Sequence, residues 1–325
     1  MPHRYEEGGD RVHFVRVDRA QHRAAPFLTD EYLPQARAAT VLARADAVAG
    51  AAPAGPLHFI FHSAFCCSTL LARALDVPGV AMGMSEPVVL NDIIGWRHRG
   101  GTDGRKVAMV LDQMLGLLAR PFGPGEAVVV KASNLVNPLA PVMLAMRPEA
   151  RAVLLFAPLE QYLGSIARKG MWSRVWVRDL LAKLLREGWI AGFGIEGEAL
   201  LKLTDVQVAA LGWLAQHRQF AMLAAKYGPE RVRTLNSETL LAQPEMALGA
   251  VAGLFGLALD AKAAAGGPAF GRHSKSGEAF DRDSRVRDAA AAMAAHGEEI
   301  AMVATWARAV AKAAGVRELL PGAVG

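Results

Sequence analysis

From about residue 57 onward, short uninterrupted apolar runs alternate with segments whose apolar positions recur at helical spacing. Leu57–Ser63 is such a run and predicts a strand. It stops at a polar turn and passes into Ser68–Asp76, which predicts a helix. Val80–Met84 predicts a second strand, and Pro87, behind Ser85 and Glu86, suits the first position of the next helix. Lys106–Arg120 places leucines and methionines on one helical face. Ala127–Ser133 is a valine-rich strand of the kind buried on both faces of a parallel sheet. A helix from Pro138 to Met146, a strand over Arg151–Pro158 and a helix over Leu159–Lys169 follow. Two longer helices, Trp172–Trp189 and Thr204–Tyr227, break the alternation, and the second opens with a capping box, Thr204 and Gln207. A strand over Arg231–Leu235, a helix from Pro244 to Leu257 and an alanine-rich helix over Asp288–Ala314 complete the pattern. The alternation predicts an α/β fold, a doubly wound parallel sheet in three α/β/α layers. Residues 1–55 read as a peripheral N-terminal arm. Residues 56–325 read as one domain, with a helical insertion at about 170–230 and C-terminal helices at about 286–315.

Composition narrows the class. The chain has 325 residues, 52% hydrophobic and 21% charged, which suits a large core and excludes disorder. The mean hydropathy of +0.20 comes largely from alanine. Met246–Leu259, the longest apolar stretch near the C-terminus, falls short of the ~18 residues of a spanning helix, so no membrane span is expected. Met1–Asp10 carries acids and glycines where a signal peptide would be apolar, and a cytoplasmic location is expected. The 36 basic and 31 acidic residues give a net charge of +5, compatible with a small anionic ligand. No Lys/Arg-rich run marks a nucleic-acid partner. The two cysteines, Cys66 and Cys67, are adjacent, which gives neither a disulfide framework nor a zinc site, and no metal is expected.

The first candidate for chemistry is the loop Ser63-Ala64-Phe65-Cys66-Cys67-Ser68-Thr69. A loop between the first strand and first helix of such a sheet presents free backbone N–H groups and the positive end of a helix dipole to anions. Ser68 and Thr69 add hydroxyl donors. The loop has no glycine and no lysine, so the Walker signature for Mg-nucleoside triphosphates is absent. The plain alternative is that Ser68 and Thr69 only cap the helix.

In order and spacing, several segments resemble the sulfotransferase family, which binds 3′-phosphoadenosine 5′-phosphosulfate on a P-loop NTPase-like fold. Phe61–Asp76 is similar to the family's 5′-phosphosulfate loop and first helix, and Ser85–Ile93 to its acidic motif after the second strand. Val128–Ser133 is similar to the strand that ends in the family's lysine, and Arg147–Lys169 to the strand–helix that binds the 3′-phosphate. Arg231–Leu257 resembles the edge strand and the following helix. Arg272–Arg285 resembles the basic loop that closes over the donor. The resemblance covers most of residues 57–285. Phe156 stands where the family carries the arginine that grips the 3′-phosphate, and Gly164 stands where it carries a serine, with Ser165 one residue later.

Each candidate side chain has two readings. Lys131 ends a buried strand and must reach a cleft or a partner, because a lysine buried unpaired is costly. It is either the cation on the transferring sulfuryl group or a strand-end lysine reaching solvent. Glu86, at the carboxyl edge of the sheet, is either the base for an acceptor hydroxyl or a helix-start acid favoured by the dipole. His62 is a second candidate base, or a histidine satisfied by backbone. Cys66 and Cys67 are either thiols of lowered pKa at a helix start or small residues packed in a tight loop. Ser165 and Arg168 share a helix face and together could hold a phosphate. Arg272, His273 and Lys275, between Gly271 and Gly277, read as a basic lid. The resemblance implies sulfuryl transfer from 3′-phosphoadenosine 5′-phosphosulfate to a hydroxyl or amine of an unknown acceptor, without metal. The partners are then the nucleotide donor and the acceptor, with oligomeric state open, a homodimer included. The alternative is a non-catalytic P-loop-like domain that binds a nucleotide or a protein. A phosphotransferase is argued against by the absent Walker lysine.

Overall fold

The structure is a computed structural model that describes residues 1–271 and 282–324. These divide into two compact units. One comprises residues 1–62, 68–153 and 248–271, the other residues 63–67, 154–247 and 282–324.

Among the described residues, eight strands form two sheets. Strands β1 (Pro2–Glu6), β2 (Arg11–Phe14) and β3 (Thr40–Ala43) make an antiparallel sheet in that order. Strands β4 (Leu57–His62), β5 (Ala81–Ser85), β6 (Ala127–Lys131), β7 (Ala152–Phe156) and β8 (Val232–Asn236) make the central parallel sheet, ordered β5-β6-β4-β7-β8 and flanked by helices. The α/β expectation therefore holds. Every residue of β4, β5, β6 and β7 is buried, as expected of a parallel sheet covered on both faces. The register of β6 pairs Val128, Val129 and Val130 with Leu57, His58 and Phe59 on one side, and Lys131 with Ser85 on the other. The chain leaves β4 toward β5 and leaves β7 toward β8 in opposite directions, so the topological switch lies between β4 and β7.

In the first unit, Gly83 of β5 approaches the Ser68–Leu75 helix closely. A Cβ there would lie 2.1 Å from the Ala72 carbonyl oxygen. The N-terminal residues are tied to the same unit. Arg4 donates to Asp92 at 2.7 Å, the Tyr5 N–H donates to Asp92 at 2.9 Å, and Arg23 donates to the buried Asp76 at 2.6 Å. Tyr5, Val12, Leu28 and Leu33 are all buried. In the second unit, helices Leu159–Arg168, Gly170–Arg186, Asp205–Tyr227 and Arg282–Ala313 pack together around Trp213 and Phe220. Gly164 permits one crossing, with Ala292 and Ile300 within 3.8 Å of where its Cβ would stand. The capping box is present: Thr204 Oγ1 accepts from Gln207 N–H at 3.2 Å, and Gln207 Oε1 accepts from Thr204 N–H at 3.0 Å.

Local boundaries differ from the pattern in physically legible ways. Pro87 is the N-cap, with ψ 117°, and the helix starts at Val88, so it does not occupy the first helical position. Pro138 lies inside a 3₁₀ turn, Asn134–Leu139, and the α-helix starts at Ala140, because a proline cannot supply the N–H that an α-turn at that point needs. The helix expected to end at Trp189 ends at Arg186, and Gly188, at φ +71°, turns the chain away. Among the described residues, no helix is long and apolar enough to cross a membrane.

Candidate functional site

In the first unit, β5 and β6 deliver two of the predicted side chains to one place. Lys131, the last residue of β6, is only 1% exposed. Its ammonium donates to Glu86 Oε1, and the Glu86 N–H donates to the Lys131 carbonyl at 2.7 Å. Main chain and side chain therefore join the same two residues. A lysine this deeply buried is tolerated because a carboxylate meets it. The Phe27 ring centroid lies 5.0 Å from the Lys131 ammonium, within reach of a cation–π contact. His62, at the end of β4, places Nε2 3.8 Å from the same Glu86 oxygen, and its carbonyl accepts from Asn137 Nδ2 at 3.0 Å. Glu86 itself sits at φ +50°, in the left-handed region that a non-glycine residue rarely adopts. The structure thus brings His62, Glu86 and Lys131 together, and buries Ser68 and Thr69 in the helix that follows the loop. Sequence reasoning missed Phe27 and Asn137, since neither lies in a motif.

In the second unit, Ser63–Cys67 forms a loop beside the end of β7. The Ser63 N–H donates to the Leu155 carbonyl at 3.1 Å, and Ser63 Oγ accepts from the Ala157 N–H at 3.4 Å. The buried Cys66 thiol donates to the Leu155 carbonyl at 3.5 Å, which suits a packed thiol better than a reactive one. Ala64, Phe65 and Cys67 all have positive φ, at +70°, +51° and +61°. Three of the five residues of this loop thus hold a conformation that non-glycine residues rarely adopt. The Phe65 ring packs edge-on against Trp176 at 5.4 Å, with Lys169 5.8 Å from its centroid.

At the end of β7, Phe156 is 9% exposed and meets the His217 ring edge-on at 4.9 Å. His217 is stacked on Trp213 at 3.8 Å, and Trp213 Nε1 donates to the Ala157 carbonyl at 2.9 Å. Burial holds the His217 pKa down to about 4, so this is a neutral aromatic stack at neutral pH. Ser165 donates to the Gln161 carbonyl of its own helix at 2.9 Å, and Arg168 ends that helix at the surface. Arg272, His273 and Lys275 lie outside the described residues. Among the described residues, no group of three or more His, Cys, Asp or Glu side chains could hold a metal ion.

Three solved structures are similar to this chain. A sulfotransferase domain from the Synechococcus PCC 7002 olefin synthase is 14% identical, with a TM-score of 0.44, covering 72% of this chain and 84% of its own. A sulfotransferase domain from the curacin biosynthetic pathway is 16% identical, with a TM-score of 0.42, covering 71% and 85%. A sulfotransferase from Mycobacterium tuberculosis H37Rv is 15% identical, with a TM-score of 0.39, covering 67% and 72%. No protein-family model and no curated protein matches the chain.

Proposed function

We propose that the chain transfers a sulfuryl group from 3′-phosphoadenosine 5′-phosphosulfate to a hydroxyl or amine of an acceptor. The observation that carries the reading is the pairing of the buried Lys131 with the half-buried Glu86, at the carboxyl ends of two parallel strands, with Glu86 held in a strained backbone conformation. In the reaction the acceptor oxygen or nitrogen forms a bond to sulfur while the bond from sulfur to the bridging phosphate oxygen breaks. The acceptor's proton goes to the Glu86 carboxylate, with His62 as the second candidate base. The electron pair of the broken bond stays on the departing phosphate, and the Lys131 ammonium offsets the charge developing there. The Ser63–Thr69 loop, through its backbone N–H groups, is the element proposed to take the donor's 5′ end. Ser165, Arg168, Arg272, His273 and Lys275 are the proposed contacts to its 3′-phosphate.

A thermal-shift titration tests the donor. Adenosine 3′,5′-bisphosphate at ~100 times its dissociation constant stabilises a native state by roughly 2.7 kcal/mol. A shift with that nucleotide and no metal, exceeding those with ADP and Mg-ATP, is the expected result. Lys131→Met is expected to keep the shift and abolish transfer; full transfer in that variant sinks the role given to Lys131. The second reading, a non-catalytic nucleotide-binding or protein-interaction domain, is favoured by the Phe156–His217–Trp213 stack in place of a 3′-phosphate cation. A chain that binds none of the three nucleotides supports that reading and ends the first.

A further inference from the structure

Glu86 would relax out of its left-handed conformation, which carries a steric cost for a residue with a Cβ, unless its surroundings fixed it. The surroundings come partly from the N-terminal region. The Leu28 N–H donates to the Ser85 carbonyl at 2.8 Å, and the Leu28 carbonyl accepts from the Val88 N–H at 3.1 Å. One residue thus grips the chain on both sides of Glu86 and Pro87, while β6 grips Glu86 itself through the Lys131 carbonyl. Leu28 is 1% exposed, and Ala25 and Leu33 on either side are also buried. Phe27, next to this clip, sets its ring over the Lys131 ammonium and touches Tyr32 edge-on at 5.9 Å.

We infer that Phe27 and Leu28 are positioning residues for the Glu86–Lys131 pair: the Leu28 main chain holds the strained turn that carries Glu86, and the Phe27 ring fixes the ammonium that Glu86 meets. The inference rests on the proposed transfer reaction for its purpose, and on geometry alone for its test. That segment is then a built wall of the reacting site.

The test compares Phe27→Leu, which keeps an apolar side chain and removes the ring, with Phe27→Tyr, which restores it. Amide hydrogen exchange is read at Leu28, Glu86 and Val88, with Val128–Val130 of β6 as the internal control. In Phe27→Leu, exchange at the three clip amides rises roughly tenfold while the control is unchanged, and Phe27→Tyr returns it to the wild-type rate. The Lys131 side-chain resonances, assigned through Lys131→Met, lie upfield in the ring current, move downfield in Phe27→Leu and return in Phe27→Tyr. Unchanged clip amides in Phe27→Leu, a uniform rise that includes β6, or failure of Phe27→Tyr to rescue each overturn the inference. None of these readouts needs transfer activity. A failed clip with an intact adenosine 3′,5′-bisphosphate shift leaves the sulfotransferase reading standing, and the converse result separates the two in the other direction.

Discussion

Three of the buried histidines are held far toward the neutral form, and their burial predicts how the fold responds to mild acid. His22, His58 and His217 are 3%, 6% and 0% exposed, and desolvation pushes each pKa down to about 4 from the ordinary 6.5. Desolvation is the first cause for each ring; the Arg151 guanidinium adds to it at His58, and Arg19 and Arg23 add to it at His22. Between pH 6.5 and 4 the unfolded chain takes up a proton at each site and the folded chain does not, so stability falls as pH falls through that window. At pH 5.5 the three rings together cost roughly 4 kcal/mol. Asp92 works the other way. Burial raises its pKa to about 6, so the folded state takes up a proton first and gains about 1 kcal/mol at pH 5.5. The net loss from pH 7.5 to 5.5 is then about 3 kcal/mol. With an unfolding entropy of ~2.1 cal/mol/K per residue over the 325 residues, Tm falls by roughly 4 °C. Thermal unfolding followed by circular dichroism at matched ionic strength measures it. His22→Leu isolates one ring, because neither His22 nitrogen has a hydrogen-bond partner to lose, and it removes about a third of the histidine contribution. A Tm that holds or rises between pH 7.5 and 5.5, or a pH slope unaltered in His22→Leu, refutes the reasoning.

Two further substitutions probe the backbone. Gly83→Ala sets a Cβ 2.1 Å from the Ala72 carbonyl oxygen, a contact with main chain that no side-chain rotation relieves. It is expected to cost about 3 kcal/mol, at the top of the overpacking range, read as a lowered urea midpoint; a midpoint equal to wild type contradicts the close packing of β5 on its helix. Ala64→Gly relieves a left-handed residue at φ +70° and is expected to stabilise the chain by about 0.5 kcal/mol, the strain relieved less the added flexibility of the unfolded glycine. A loss of stability in that variant would mean that the Ala64 side chain contributes packing that outweighs the strain.

The parts of the fold legible in the sequence were those written by periodicity. Val128–Val130 reads as a strand buried on both faces and is one, and Thr204 with Gln207 reads as a capping box and is one. Lys131 was legible as a residue needing a partner, because the cost of burying an unpaired ammonium is the same wherever the strand lies. What the pattern could not carry was the N-terminal sheet. Strands β1, β2 and β3 have four or five residues each, and β3 is exposed throughout, so no alternation of apolar and polar residues marks them. Phe27 was invisible for a related reason. Its part in the site depends on a main-chain contact between Leu28 and residues 85 and 88, nearly 60 positions away, and main-chain hydrogen bonds leave no trace in side-chain identity.

The strain in the backbone bears on which reading of the glycine-free loop is right. Among the described residues, the non-glycine positions with left-handed φ are Asp10, Ala64, Phe65, Cys67 and Glu86. Three lie in the loop that follows β4, and Glu86 directly follows β5. A loop whose sole duty is to cap a helix would reach its conformation more cheaply with glycine, which carries no Cβ penalty at positive φ. Side chains at those positions instead narrow the unfolded ensemble and can anchor the loop laterally, as Phe65 does against Trp176. The outcome is a glycine-free loop whose strained conformation is held by packing. Backbone strain thus gathers at the carboxyl ends of β4 and β5, the edge at which open α/β sheets take their ligands.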